Sequence, residues 1–164
     1  VISQSGNAYE EGFIPEFWEP IWAYGEDTTE ANEHALRPAL DREAVQWQYI
    51  HGVPEVSTIA PEAWEHDIAL LARPGLDRAQ LALFADYASN RALYPQVHDW
   101  LRTSAVPVLA VWGKNDEIFG PAGATAFSRD SPNARVELLD GGHFLLESHL
   151  DEVTQIIKDW RASI

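Results

Sequence analysis

The run from Val106 to Phe144 constrains the fold more than any other part of this sequence. Val106, Val108, Leu109, Ala110, Val111 and Trp112 make a short, β-branched apolar run, the pattern of a strand buried on both faces. Gly113 breaks the run, and Lys114-Asn115-Asp116 follows as a loop. Pro121 to Arg129 reads as a short helix. Arg135 to Leu139 reads as a second strand, closed by Asp140-Gly141-Gly142-His143. Asp116 and His143 then each stand just past the carboxyl end of a strand, which is where open α/β sheets bind ligands. A carboxylate that orients an imidazole, which in turn acts as general base, is the acid–base pair of a nucleophilic hydrolase. Singly, Asp116 is a common turn former and His143 an ordinary loop histidine. Their placement on successive strand ends, separated by one helix, favours reading them together. Gly141 and Gly142 allow the tight turn that would aim the imidazole back over the sheet.

Upstream, Val1 to Gln4 reads as the tail of a buried strand, with Ser5-Gly6-Asn7-Ala8-Tyr9 as the loop at its carboxyl end. Ile14, Phe17, Trp18, Ile21 and Trp22 then share one helical face. Pro15 suits a first turn, and Pro20 is expected to kink or shorten the helix. Asp27-Thr28-Thr29 reads as a helix start. Leu36, Leu40, Ala44 and Trp47 repeat behind it, with Pro38 as a break and Gly52-Val53-Pro54 as the end. Pro61 opens a helix with Trp64, Ile68 and Leu71 on one face, stopped by Arg73-Pro74-Gly75. Asp77 is the expected N-cap of a longer helix carrying Leu81, Phe84, Ala88 and Leu93. Tyr94-Pro95 is expected to separate that helix from a last one with Val97, Trp100 and Leu101. Leu146 to Trp160 reads as a terminal helix, with Leu146, Leu150, Val153, Ile156, Ile157 and Trp160 toward the sheet. Roughly ninety residues between the first two strands are thus helical, far more than an ordinary crossover holds. An inserted helical cap accounts for them better.

At this point the segments PVLAVWGKNDEIF and LLDGGHFLLESHLDEV resemble the end of an α/β-hydrolase, in the capped branch of epoxide hydrolases and haloalkane dehalogenases. That family carries its triad acid in G-x-x-D after the penultimate strand and its histidine in G-H-[FW] after the last. The matching positions are Asp116 and His143, with Phe144 and Glu147 completing the pattern; His149 and Leu150 stand where many members have proline. QSGNAYEEGF resembles the loop that leads into the cap. The resemblance implies an α/β fold: about three parallel strands from the carboxyl-terminal part of the hydrolase sheet, plus an all-helical cap. Residues 1–12 would be a strand and loop of the core, 13–94 the cap, and 95–164 the rest of the core.

The family's nucleophile elbow, G-x-[SD]-x-G-like, has no counterpart here. Ser3 and Ser5 have no glycine two residues before them and no helix directly after; Ser57, Ser104 and Ser128 lack any such setting. The resemblance therefore implies a nucleophile outside this chain. The chain has no Met and begins at Val1, so it is expected to be a fragment or a processed product.

Within the cap, Trp18, Trp22, Trp47, Trp64 and Tyr87 either wall an apolar substrate pocket or pack the cap helices together. In epoxide hydrolases cap tyrosines polarise the epoxide oxygen, and Tyr24, Tyr49 and Tyr87 are the possible equivalents. In dehalogenases a Trp or Asn donor binds halide, for which Asn7 is the candidate.

Charge and composition remove several functions. With 11 basic against 26 acidic residues and a net charge of −15, the chain lacks the basic face that nucleic acid or an anionic membrane requires. It has no Cys, hence no thiol nucleophile, disulfide or thiolate metal site. Its histidines show no H-x-x-x-H pair, so no metal and no cofactor is expected. There is no apolar run near ~20 residues and no signal-peptide pattern, and a cytoplasmic location is expected. The expected substrate is a small, largely apolar epoxide, haloalkane or ester. A serine-nucleophile esterase or lipase-like hydrolase is the alternative chemistry. A non-catalytic binding or assembly module is the alternative class, because an unpaired apolar sheet edge at Val1-Ile2 could pair with the missing half or with a second copy.

Overall fold

Every residue from Leu109 to Gly113 is buried, and that strand takes the centre of the sheet. The computed structural model describes residues 1–164. Its sheet has three parallel strands in the order β1 (Ile2–Gln4), β2 (Leu109–Gly113), β3 (Arg135–Leu139). Ile2 pairs with Leu109 on one side, and Leu109 with Arg135 on the other.

Alternation along β2 sends side chains into two layers. Val108, Ala110 and Trp112 face Tyr9, Leu101, Ala124 and Phe127, a layer that includes α6 (Pro121–Asp130). Leu109 and Val111 face Leu139, Leu145, Val153 and Trp160, most of them on α7 (Leu145–Ala162). Helices therefore cover both faces of a parallel sheet, as its lack of a polar face demands.

The remaining helices form a block between β1 and β2: α1 (Pro15–Glu26), α2 (Glu30–Leu36), α3 (Arg42–Ile50), α4 (Pro61–Leu71) and α5 (Leu76–Ser104). Pro15 and Pro61 sit in the first turns of α1 and α4, and Thr29 caps α2 by accepting from the Asn32 amide at 3.2 Å. Pro38 ends α2 as expected, leaving a 3-10 turn at Arg37–Leu40. One core of the block joins Trp18, Ile21 and Tyr24 of α1 to Leu36, Leu81 and the loop residue Ile118. A second joins Val45, Tyr49, Ile59 and Trp64. No helix is long and apolar enough to cross a membrane.

Four expectations need correction. Tyr94-Pro95 does not interrupt a helix: α5 runs unbroken from Leu76 to Ser104 with Pro95 inside it. Its two halves are anchored separately, Leu81 in the helical block and Leu101 in the sheet's core, and this burial outweighs the proline cost of about 3 kcal/mol. Asp77 is not the N-cap of α5. Gly75 holds that position with φ at 84°, and Asp77 instead pairs with Arg37 at 3.0 Å. Pro20 does not shorten α1, which continues to Glu26. Finally, Leu146 and Leu150 do not face the sheet but are 43% and 59% exposed. The cause is His149, whose φ of −128° and ψ of 29° break the helical register of α7. Leu145 takes the buried place ahead of the break, and Val153 and Trp160 behind it.

Candidate active site

Asp116 enters the site through a loop held on several sides. Its backbone amide reaches the Gly113 carbonyl at 3.2 Å, closing a turn directly after β2. Its Oδ1 accepts the backbone amides of Ile118 (2.9 Å) and Phe119 (3.0 Å). The carbonyls of those same two residues accept indole N–H groups, Ile118 from Trp18 and Phe119 from Trp112, each at 2.7 Å. One indole comes from the helical block and the other from the central strand, so the loop is tied to both.

His143 reaches the same carboxylate from the turn after β3. Its Nδ1 lies 3.0 Å from Asp116 Oδ2 and 3.2 Å from Oδ1. The Asp116 side chain has no exposed surface, whereas the imidazole keeps 17% of its own. Nδ1 is thus the nitrogen that carries the proton, donated to the carboxylate, and Nε2 is left with its lone pair. No hydroxyl or carboxylate of the chain bonds to Nε2. The ionised form of a buried carboxylate must find hydrogen-bond donors; the two backbone amides, His143 and Ser5 supply them without any Lys or Arg.

Ser5 is a residue that sequence reasoning considered only as a nucleophile. Its Oγ donates to Asp116 Oδ2 at 3.0 Å, so it faces the acid and not the base. The signal for this role is modest: a serine immediately past the end of a strand that borders the aspartate's strand.

The helical block closes on the two loops through backbone contact. Gly52, at φ 74°, lies so near Asn115 that an added Cβ would stand 2.6 Å from its carbonyl. A Cβ on Gly142 would stand 2.0 Å from the His51 carbonyl, and one on Gly113 only 2.2 Å from the Gly142 carbonyl. The Asn115 amide bridges this junction, donating to the Gly52 carbonyl at 2.8 Å and to Asp140 at 3.0 Å. Asn115 and Lys114 hold the Asp140 carboxyl below its ordinary value, and His51 pairs with Glu117 at 3.1 Å.

The aromatic residues named from sequence divide among three places. Trp18, Trp22 and Tyr87 cluster with Phe13 and Phe119, and Phe119 lies 5.9 Å from the His143 ring. Phe119 is an aromatic neighbour of the imidazole that sequence reasoning missed. Trp64 instead packs in the second core, beside Tyr49. Trp47 stacks on His51 and helps line a cleft with Ile14, Phe17 and Glu117. A further cavity of about 410 Å³ is lined by Leu40, Val45, Tyr49, Leu71, Phe84 and Phe144, the last adjacent to His143. The Tyr49 hydroxyl is engaged by Asp67 at 2.6 Å. Burial raises the Tyr87 hydroxyl above its ordinary value, so it stays protonated. Asn7 does not point toward the imidazole: its amide bonds the Tyr9 carbonyl at 2.8 Å within its own turn, packed against Gly12 and Gly123. No cluster of three or more His, Cys, Asp or Glu is placed to hold a metal ion.

Residues 28–150 match the family model of the alpha/beta hydrolase fold. Over 160 residues the chain is 42% identical to an uncharacterized hydrolase of Saccharomyces cerevisiae, covering 96% of this chain and 55% of that protein. It is 29% identical over 83 residues to a monoacylglycerol lipase of Homo sapiens, covering 50% of this chain and 24% of the lipase. The chain thus spans about half, or less, of the length of these curated relatives. Among solved structures, a 2-hydroxy-6-oxo-6-phenylhexa-2,4-dienoate hydrolase from Rhodococcus superposes with a TM-score of 0.69 at 14% identity, over 99% of this chain and 54% of that one. A haloalkane dehalogenase from Agrobacterium tumefaciens gives 0.64 at 20% identity, over 91% and 52% of the two chains. At such identities the likeness concerns the fold.

Proposed function

Because this chain belongs to the α/β-hydrolase family, we propose that it carries the general base and the orienting acid of a hydrolase whose nucleophile lies outside these residues. The observation behind this reading is the buried Asp116 carboxylate on His143 Nδ1, at 3.0 Å, with Nε2 left as the base. The helices between β1 and β2 act as a cap, and the substrate is a small, largely apolar epoxide, haloalkane or ester.

The packed aromatic cluster of Phe13, Trp18 and Phe119, whose Phe119 ring lies 5.9 Å from the His143 ring, makes the surroundings of the imidazole apolar and supports an apolar substrate. In the first chemistry, an aspartate from the missing half attacks carbon and displaces halide or opens the epoxide, forming an alkyl ester on the enzyme. His143 Nε2 then takes a proton from water as its oxygen adds to the ester carbonyl, and the alcohol leaves. Tyr87 stays protonated and can donate to the developing alkoxide of an epoxide. The alternative is a serine nucleophile acting on esters, a reading that the lipase relative favours. There His143 takes the serine proton directly. In either case Asp116 holds the imidazole in place.

The test is turnover by the intact protein. Haloalkanes, epoxides and small esters are offered, and His143→Ala should lower kcat by about a thousandfold or more. Unchanged turnover in that variant would sink the assignment. A single turnover in 18O-water separates the chemistries: an aspartate nucleophile gains the label, whereas a serine enzyme delivers it to the product acid.

The chain alone also has a binding reading. Val1 and Ile2 are 45% and 48% exposed on the outer strand, where a neighbouring strand from the missing half, or a second copy, would pair. Light scattering of the isolated chain should show association; a monodisperse monomer counts against this.

A further inference from the structure

Ser5 is the first residue past β1, and its φ of 48° lies in the left-handed region. Glycine would adopt this conformation without strain, yet the glycine stands next door at Gly6. What the serine adds is its hydroxyl. That hydroxyl lies 3.0 Å from Asp116 Oδ2, the oxygen that His143 Nδ1 also approaches at 3.0 Å. The Gln4 side-chain amide donates to Ser5 Oγ at 2.8 Å and to the His143 carbonyl at 3.3 Å. With Gln4 donating into Oγ, the serine proton has two acceptors, the Asp116 carboxylate at 3.0 Å and the His143 carbonyl at 3.5 Å, and the nearer, charged one takes it. The end of β1 therefore grips both the acid and the backbone of the base.

We propose that Ser5 is a positioning residue for the His143–Asp116 pair. Its hydroxyl pins Oδ2 beside Nδ1, keeps the proton on that nitrogen and leaves Nε2 as the base. The two Asp116 oxygens stand almost equally far from Nδ1, at 3.0 and 3.2 Å. Backbone amides hold Oδ1, and Ser5 is the matching donor on Oδ2. In this geometry Ser5 is no nucleophile, since its proton goes to the acid and not to Nε2. The proposal rests on the reading of His143 as base.

Its test is nitrogen-15 NMR of the His143 ring in this chain, at a pH where the ring is neutral, for the parent, Ser5→Gly and Ser5→Ala. Ser5→Gly removes the backbone strain. A purely structural serine therefore predicts equal or greater stability and unchanged ring shifts, which would overturn the proposal. The expected result is a parent ring held as the Nδ1–H tautomer. In both variants the Nε2–H tautomer should rise about tenfold while the amide signals of β2 and β3 stay in place. A parent ring already in the Nε2–H form would also overturn it. In the intact protein, Ser5→Gly should lower kcat about tenfold with little change in KM. The two failures are separable. If His143 is not the base, His143→Ala keeps its turnover whatever the ring shows. If only the Ser5 role is wrong, His143→Ala loses turnover while the Ser5→Gly ring is unchanged.

Discussion

Trp18 and Trp112 show how single polar atoms set the geometry of the site. Each indole is buried, yet its N–H finds the carbonyl of Ile118 or Phe119 at 2.7 Å. Those carbonyls belong to the loop whose amides bind Asp116. Replacing an indole by a phenyl ring leaves a buried carbonyl without a donor, which costs about 1–3 kcal/mol. Trp18→Phe should therefore lower unfolding free energy by that amount in urea titrations, with further loss from the smaller ring. Its indole also fixes the Asp116 turn, so turnover in the intact protein should fall as well. An unchanged urea midpoint would show that the Ile118 carbonyl finds another partner.

At the scale of elements, the question is how the segment between α3 and α4 stays registered on the two loops that carry Asp116 and His143. The contact is backbone on backbone: Gly52 of the segment between α3 and α4 lies against Asn115 and Gly142. A pair of glycines separates conformational strain from collision. Gly75 has φ 84° with open space where a side chain would go, whereas Gly52 has φ 74° with Asn115 in the way. Gly75→Ala should cost about 1 kcal/mol, the price of left-handed backbone alone. Gly52→Ala should cost clearly more and should also impair turnover, because it pushes on the two loops that carry Asp116 and His143. Thermal and urea unfolding of the two variants side by side checks this. Equal losses would mean that the loop junction is soft.

For the molecule as a whole, acid is the condition that should loosen the fold. Asp130, at the end of α6, is 2% exposed and pairs with Arg102 of α5. Burial pushes its carboxyl up, but the Arg102 guanidinium, the Tyr9 hydroxyl and His98 together pull it further down, so its folded value lies below the ordinary one. A carboxyl depressed on folding contributes stability that is fully present above its unfolded value, about 3.9. That contribution is lost as pH falls through the lower folded value. Asp130→Asn should thus have a lower melting temperature than the parent at pH 7, and the gap should shrink on titration below about pH 4. A gap independent of pH would assign the loss to packing. The 26 acidic against 11 basic residues make the same acid range one of falling negative charge, so the variant's difference, and not the absolute stability, carries the test.

The sequence by itself determined the buried central strand, the helical stretch between the first two strands, and the placing of Asp116 and His143 after β2 and β3. These follow from local patterns: a continuous apolar run, helical spacing, and turn residues at strand ends. It also placed Pro38 as a helix end, because proline acts through its own ring and missing N–H. It misjudged Pro95 and the face of Leu146 and Leu150, where burial at both ends of α5 and the break at His149 override local preference. Only the tertiary structure decided which nitrogen of His143 meets Asp116 and that Asn7 turns inward on its own loop. It also decided that Ser5 faces the acid and that Phe119, not Trp64, stands beside the imidazole. Each of these depends on distances between residues far apart in the chain, such as Ser5 and Asp116, which no periodicity or spacing encodes.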